Sequence, residues 1–485
     1  MKKIYSIGLL AILLLFGVKI ITAQTTNYSP EVEKRIKQVE NSLMTWVQTP
    51  DTLKWTLKQR MALYNIPGLS IAVVNNYKVE WAKGYGWADK SDQRSVTNQT
   101  LFQAASISKS LNGVGVLKLV QDKKLDQNTD INQYLKSWKF PYDSTAKNRK
   151  ITIAELLSHT AGLTVHGFPG YSKGDSLPSI TDILDGKKPA NTAAVRSQFA
   201  PGLKFQYSGG GITILQLIVM NITNQPYDVY MWKNVLQPMG MIHSFYKQPP
   251  PADQKPLLAS GYRPDGKKIK GDYHIYPEEA AAGLWTNPTD LCNYIIETQL
   301  SYHGKSKKVL SPEMTKLRLT PYFNNSSALG VFIENREGAK YFDHAGANEG
   351  FRCVYYGSLD EGRGVAVMIN SDNGTILDEV VNSVASVYNW KNFYNPVIKK
   401  VVPIPDTVLS SYVGKYELYG NPVFITMENN KMILNYSNIS CNMYFTSDND
   451  FFITEFKGEN KFLRDSLNNV TGFSINENTI VKKTK

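Results

Sequence analysis

The sequence predicts an α/β protein that carries a small all-β unit at its C-terminal end, and three patterns lead there. An apolar run, Pro67-Gly68-Leu69-Ser70-Ile71-Ala72-Val73-Val74, turns at Asn75-Asn76 and returns over Lys78 to Tyr85, as a hairpin does. Three further strand-like runs lie far downstream, at Ala328 to Ile333, Phe351 to Tyr356 and Gly364 to Ile369, and a helix from Ile376 to Tyr388 closes them. Past Pro403-Ile404-Pro405 the chain breaks into short β-like runs separated by Asn, Asp and Gly. One sheet that joins both ends of a long segment, with helices between, is an α/β layer arrangement.

Taken in order, residues 1–23 form a predicted leader. Met1-Lys2-Lys3 is a positive start, Ile7 to Val18 an apolar stretch, and Ala23 a plausible cleavage point. A retained anchor is the alternative, although the apolar stretch is shorter than the ~20 residues of a spanning helix. No cysteine near Ala23 supports lipoprotein processing. Residues 24–398 form the expected catalytic unit. Val32 to Met44 has helical periodicity, and so do Ser110 to Gln121 and a short stretch from Ile153 to Ser158. Asn287-Pro288 with Asp290 in the first turn marks a helix running towards Leu300. Between these lie irregular loops, notably Gly167 to Tyr171 and Lys187 to Thr192, of the kind that carries binding groups on a scaffold.

Residues 399–407 read as a linker and 408–485 as a small antiparallel barrel or sandwich. Its strands are expected at Tyr412 to Leu418, Val423 to Met427, Lys431 to Asn435, Met443 to Phe445, Phe451 to Phe456, Lys461 to Arg464 and Val470 to Ile475.

Composition narrows the classes of function. At 42% hydrophobic and 20% charged residues over 485 positions, the chain is an ordinary globular protein with room for two domains. Its net charge is +12, and three of the positive charges (Lys2, Lys3, Lys19) leave with the leader, giving +9. The lysines are scattered rather than striped, which argues against nucleic acid and suits an anionic cell envelope. Cys292, Cys353 and Cys441 are far apart and odd in number, so buried free thiols are expected rather than a disulfide framework or a metal site. One bridge stays possible.

The chemistry concentrates in three segments. Ser106-Ile107-Ser108-Lys109 precedes an apolar helical run, and positions three apart share a helix face. A serine hydroxyl becomes a useful nucleophile when a neighbour takes its proton, which a lysine of depressed pKa does. Phe205-Gln206-Tyr207-Ser208-Gly209-Gly210-Gly211 opens into the apolar helix Ile212 to Ile222, placing a phenol at a helix mouth. Near cations such a phenol is acidified and serves as a general base. With 28 tyrosines in the chain, simple packing is the competing reading. Phe342-Asp343-His344-Ala345-Gly346-Ala347-Asn348 begins a strand, where a glycine permits close approach of a substrate backbone and free N–H groups face an oxyanion.

In this order the three segments resemble the serine β-lactamase-related superfamily, most closely its class C and penicillin-binding-protein-like branch of DD-peptidases, D-aminopeptidases and esterases. Leu156-Leu157-Ser158-His159-Thr160-Ala161-Gly162-Leu163 and Ala281-Ala282-Gly283-Leu284-Trp285 resemble two further signatures of that branch. The likeness runs over about residues 40 to 390, and the tail resembles the small β-domain appended to many relatives.

The resemblance implies a β-lactamase/DD-peptidase-like mixed sheet with a helical region and the active site between them. Ser106 would be acylated, Lys109 would accept its proton or act electrostatically, and Tyr207 would be the base for serine and then for water. The backbone N–H groups of Ser106 and Ala347 would form the oxyanion hole. His344, Gly346 and Gly209 would border the substrate, and His159 would be structural. No metal and no cofactor is implied, since acyl transfer needs only nucleophile, base and oxyanion donors.

Two departures matter. Gly209 stands where β-lactamases carry Asn, and His344 where many members carry Lys, so efficient β-lactam hydrolysis is not expected. The expectation is an exported, periplasmic or cell-envelope serine hydrolase acting on an amide or ester. Its substrate would be a small molecule or peptide, such as a peptidoglycan-derived D-amino-acid peptide, and no transmembrane span would remain after leader cleavage. A carboxylesterase, a weak β-lactamase and a non-catalytic penicillin-binding-like regulatory module are the alternatives.

Overall fold

The computed structural model describes residues 27–418, 420–436, 439–476 and 479–484; the predicted leader lies outside the described residues. Seven strands form the central sheet: β1 (Gly68–Asn75), β2 (Lys78–Asp89), β3 (Arg94–Ser95), β4 (Phe332–Arg336), β5 (Ala339–Asn348), β6 (Phe351–Ser358) and β7 (Gly364–Ile369). Their spatial order is β3-β2-β1-β7-β6-β5-β4, and every pairing is antiparallel. The join between the early hairpin and the late strands is β1 against β7, with Ala72 opposite Ala366.

Both faces of this sheet are covered, which explains the unbroken apolar runs of its central strands. Leu69, Ile71 and Val73 point to one face with Val365, Val367 and Ile369. There they meet helix α1 (Pro30–Glu40) and helix α6 (Ile376–Val387). Ala72 and Val74 point to the other face, with Ala366 and Met368, into a larger core shared with the helical region. That region contains α2 (Ser108–Gln121), α3 (Gly209–Thr223), α4 (Glu279–Ala282) and α5 (Pro288–Tyr302).

Local chemistry sets the helix starts. Ser29 caps α1 by accepting from the Val32 N–H, and Asn287 caps α5 by accepting from the Asp290 N–H. A buried ion pair ties α6 to the short helical segment Leu57–Leu63. Arg60 donates twice to Glu379, at 2.6 Å each, and the Tyr64 hydroxyl donates to the same carboxylate at 2.6 Å. Burial holds the Glu379 carboxyl above its ordinary pKa even so, which shows how far desolvation offsets the pairing.

Several expectations need correction. The strand expected at Ala328 to Ile333 starts only at Phe332, because Gly330 takes a left-handed φ of +81° and bends the chain against α2. The His344 segment is not the start of a strand but the second half of β5. Glycines 209–211 are not a turn ahead of α3 but its first turn, capped by Ser208. The segment around α1 stops at Glu40 rather than Met44.

The C-terminal region is a nearly closed antiparallel sheet of nine strands. They are β8 (Gly414–Leu418), β9 (Asn421–Glu428), β10 (Lys431–Tyr436), β11 (Ile439–Asn442), β12 (Tyr444–Phe445), β13 (Asp450–Phe452), β14 (Asn460–Arg464), β15 (Val470–Ile475) and β16 (Thr479–Lys483). The order is β11-β10-β9-β8-β16-β15-β14-β13-β12, so the two outermost strands are consecutive in the chain and the sheet curls towards closure. β11 and β16 are absent from the sequence expectation, since neither shows a clear period. A helical turn, Asp406–Tyr412, spans the expected linker boundary and packs Val408, Leu409 and Tyr412 into the barrel core.

All three cysteines are free and buried. Among the described residues no helix is long and apolar enough to cross a membrane.

Candidate active site

Ser106 is presented by a tight backbone feature. Phe102 and Gln103 pair with Thr286 and Trp285, and the Ala104 N–H donates to the Leu284 carbonyl. Ala105 then adopts φ +47°, a left-handed conformation that costs an alanine about 1 kcal/mol or more. A 3-10 turn over Ala105–Ile107 leads straight into α2. Ser106 is half-buried while its neighbours are buried, so its hydroxyl is the group offered to solvent.

Lys109, three residues on, is 3% exposed. Its Nζ donates to Ser106 Oγ at 2.9 Å and to the Ala281 carbonyl at 2.6 Å. The Ala281-Ala282-Gly283 signature thereby acquires a task that sequence reasoning missed: its carbonyl aims the lysine at the serine. Gly113 and Gly330 make room behind it, for a Cβ on Gly330 would stand 3.0 Å from the Lys109 carbonyl oxygen.

Tyr207 is held from both sides. The Gln206 N–H donates to the His159 carbonyl at 2.8 Å, and the Ser208 N–H donates to His159 Nδ1 at 3.3 Å. On the other side His166 Nδ1 donates to the Tyr207 carbonyl at 2.6 Å. The His159 ring lies 4.3 Å from the Tyr207 ring, and Lys109 Nζ lies 5.1 Å from the phenol's centre. Ser106 and Lys109, on one helical turn, and Tyr207, just ahead of α3, therefore converge.

The two buried histidines are neutral, and their partners define their tautomers. His159 accepts a backbone N–H at Nδ1, so its proton is on Nε2. His344 faces the Ala345 carbonyl from Nδ1 at 2.6 Å, so its proton is on Nδ1. Burial, and then the Lys109 charge, push His344 down to about 3 and His159 well below its ordinary value. With its one proton committed to Ala345 and its ring 3% exposed, His344 has only an acceptor at Nε2 and does not donate to a substrate carboxylate.

The substrate edge is part of β5. Its pairing with β4 ends at Asp343 opposite Phe332, while its pairing with β6 continues to Asn348. Residues 344–348 are thus open along their outer side, where amides are free to meet a ligand. Gly346 brings this edge to the nucleophile's turn, since a Cβ there would lie 2.3 Å from the Ala104 carbonyl oxygen and 2.5 Å from Cys353 Sγ. Asn348 locks the far end, donating to Gln103 Oε1 at 2.8 Å and to the Ala282 carbonyl at 3.1 Å. Ala347, between them, is exposed.

Gly209 is covered, not open. A Cβ on it would stand 2.8 Å from Phe168 Cε2, so the aromatic ring occupies the space a side chain at 209 would enter. Phe168 carried no signal in the sequence beyond lying in an irregular loop. That loop is strained, since Val165 sits at φ +62°, rare for a β-branched residue. Its carbonyl accepts the Gly210 N–H at 2.9 Å and so helps to cap α3. Among the described residues no cluster of His, Cys, Asp and Glu is arranged to hold a metal ion.

A serine hydrogen-bonded by a buried lysine, beside a clamped tyrosine and an open strand edge, is an arrangement that can carry nucleophilic acyl transfer. The Beta-lactamase family model matches residues 53–383, and the chain belongs to that family. Protein flp of Staphylococcus aureus (strain N315) is 27% identical over 337 residues, 68% of this chain and 64% of that protein. The chain thus spans a little under two thirds of the length of this curated relative. Among solved structures, the octameric penicillin-binding protein homologue from Pyrococcus abyssi matches with a TM-score of 0.59 at 20% identity, over 88% of this chain and 98% of that one. The D-amino acid amidase from Ochrobactrum anthropi SV3 matches with a TM-score of 0.57 at 19% identity, over 74% and 98%.

Proposed function

We propose that this chain is an exported serine hydrolase that cleaves an amide or ester through an acyl-enzyme on Ser106, its substrate a D-amino-acid peptide of the cell wall. The observation that carries the proposal is the 2.9 Å hydrogen bond between Lys109 Nζ and Ser106 Oγ, made beside Tyr207 and the open edge of β5. Ser106 Oγ attacks the carbonyl carbon, and its proton passes to the Lys109–Tyr207 pair. The carbonyl oxygen gains charge opposite the backbone N–H groups of Ser106 and Ala347. The C–N or C–O bond breaks, the pair returns the proton to the leaving group, and the acyl chain stays on Ser106. Water, deprotonated by Tyr207, attacks the ester; the C–Oγ bond breaks and Ser106 recovers its proton. Met1-Lys2-Lys3 and the apolar run after it support export.

An ester substrate is the second reading, and the contact of Phe168 with Gly209 favours it. Where β-lactamases place an amide-binding Asn, this site has a ring and no polar side chain.

Treatment with a fluorescent fluorophosphonate, beside a Ser106→Ala control, tests the enzyme reading. Labelling that depends on Ser106 is expected, and its absence, with no hydrolysis of p-nitrophenyl acetate, overturns it. Release of D-alanine from D-alanyl-D-alanine peptides separates the peptidase from the esterase, and mass analysis of the mature protein tests leader removal.

A further inference from the structure

An aromatic cluster crosses the interior of the C-terminal barrel. In it the Tyr412 and Phe462 rings stack at 3.7 Å between centres, and Phe451 and Phe473 lie 4.8 and 5.8 Å from Phe462. Beyond them is a cavity of about 310 Å³, with Phe451 and Phe473 as its floor and Leu418, Leu434, Ile453 and Ile475 on its walls. These four wall residues are only partly buried although they belong to the barrel core, as expected where an interior is left unfilled. Tyr436 and Phe456 line the cavity and also a cleft of about 590 Å³ beside the central sheet, so the two spaces share those side chains. That cleft is bordered by Ala345 of the substrate strand β5.

Polar lining is sparse. Asn460 uses its amide to donate to the Phe451 carbonyl, leaving Lys457 as the charged group of the cavity, exposed and 3.9 Å from the Trp46 ring. In the cleft, Arg263 and Arg352 are already paired with Asp372 at 3.0 and 2.9 Å. An apolar chamber with one exposed lysine at its rim fits one kind of molecule: an aliphatic chain that ends in an anionic or ester head. Apolar cavities of this size stay dry and take apolar guests, and the volume lies at the lower end of ligand pockets, about 300–1,000 Å³. It equals about ten water volumes at ~30 Å³ each, room for a chain of roughly eight to ten carbons.

We propose that the cavity of the C-terminal barrel lined by Phe451 and Phe473 is a binding site for a medium-chain aliphatic carboxylate or acyl group, its tail between Leu434 and Ile475 and its head at Lys457. The chain is either the acyl part of the substrate or a separate amphiphile, and the chemistry of the site is the same for both.

Calorimetric titration of the full-length Ser106→Ala protein with hexanoate, octanoate, decanoate and hexadecanoate tests this without turnover. Saturable binding is expected, tightening about fourfold per added methylene up to roughly ten carbons and then levelling off. Leu434→Trp, which fills the chamber, should weaken decanoate at least tenfold, and Lys457→Ala should weaken decanoate but not decanol. Cys441 lines the cavity in the unaltered chain, so decanoate should slow its alkylation by N-ethylmaleimide while leaving Cys292 and Cys353 unchanged. No saturable binding at any chain length, or an unprotected Cys441, overturns the proposal even if Leu434→Trp fails to fold. With the wild type and a p-nitrophenyl ester series, loss of chain-length preference in Leu434→Trp assigns the chain to the substrate; an unchanged preference assigns it to a separate amphiphile.

Discussion

The Phe168 ring stands where a side chain at position 209 would project, 2.8 Å from the Cβ that Gly209 lacks. The two positions are therefore coupled. Gly209→Asn alone should lower kcat/KM at least tenfold, because the carboxamide must displace the ring or distort the first turn of α3. Joined with Phe168→Ala it should recover, and the ratio of amide to ester turnover should rise above that of the wild type. A double-mutant cycle on p-nitrophenyl ester and p-nitroanilide substrates reads the coupling; strictly additive effects would count against it.

Gly346 faces a harder wall. Its missing Cβ would meet the Ala104 carbonyl at 2.3 Å and Cys353 Sγ at 2.5 Å, and neither backbone nor buried sulfur gives way readily. Gly346→Ala should push β5 off the nucleophile's turn, with about 1–3 kcal/mol of lost stability and about 10²-fold in kcat/KM, the usual loss when a reacting group moves by about 1 Å. Fluorophosphonate labelling of Ser106 should survive better than turnover, since the serine itself is held from the α2 side.

The buried histidines give acid sensitivity of defined sign. His344 is pushed down to about 3 in the fold and titrates near 6.5 when unfolded, so the unfolded chain binds the extra proton. His159 shifts in the same direction. The His344 contribution is complete above about pH 6.5 and is lost as pH falls towards 3, at about 1.4 kcal/mol per pH unit, and His159 adds to it in the same direction. Thermal melts should fall below pH 6.5, and His344→Gln should lessen that slope by about one proton. A melt with the same slope in the variant would show the imidazole is not buried neutral.

Glu278 acts oppositely. It is fully buried, neither carboxyl oxygen has a hydrogen-bond partner among the described residues, and burial pushes it up to about 8. The folded chain keeps a proton that the unfolded chain releases near pH 4.5, so stability from this group is full below 4.5 and is lost as pH rises through 8. Glu278→Gln should raise the melting temperature at pH 8 and change it little at pH 5. Differential scanning at the two pH values checks the sign.

Much of the candidate site was legible before folding because it is written locally. Ser106 and Lys109 share a helical turn, Tyr207 sits at a helix start, and Gly346 lies in a strand whose neighbours alternate between exposed and buried. The rest was hidden because it depends on contacts between distant segments. The aim of Lys109 comes from Ala281, the shielding of Gly209 from Phe168, and the clamp on Tyr207 from His159 and His166. The strand misplaced at Ala328 shows the same limit, since an apolar run does not reveal that Gly330 must bend to pass α2.

By itself the sequence determined the class of fold, the order of its main elements, the shared turn of Ser106 and Lys109 and the helix start beside Tyr207, because periodicity, caps and short spacings act within a few residues. Only the tertiary structure decided which carbonyl aims the lysine, that the buried His159 and His344 are neutral, that an aromatic ring stands beside Gly209, and that the C-terminal barrel holds an apolar cavity. Those properties belong to burial and to close approach between segments far apart in the chain, and neither exists until the sheet and the barrel close.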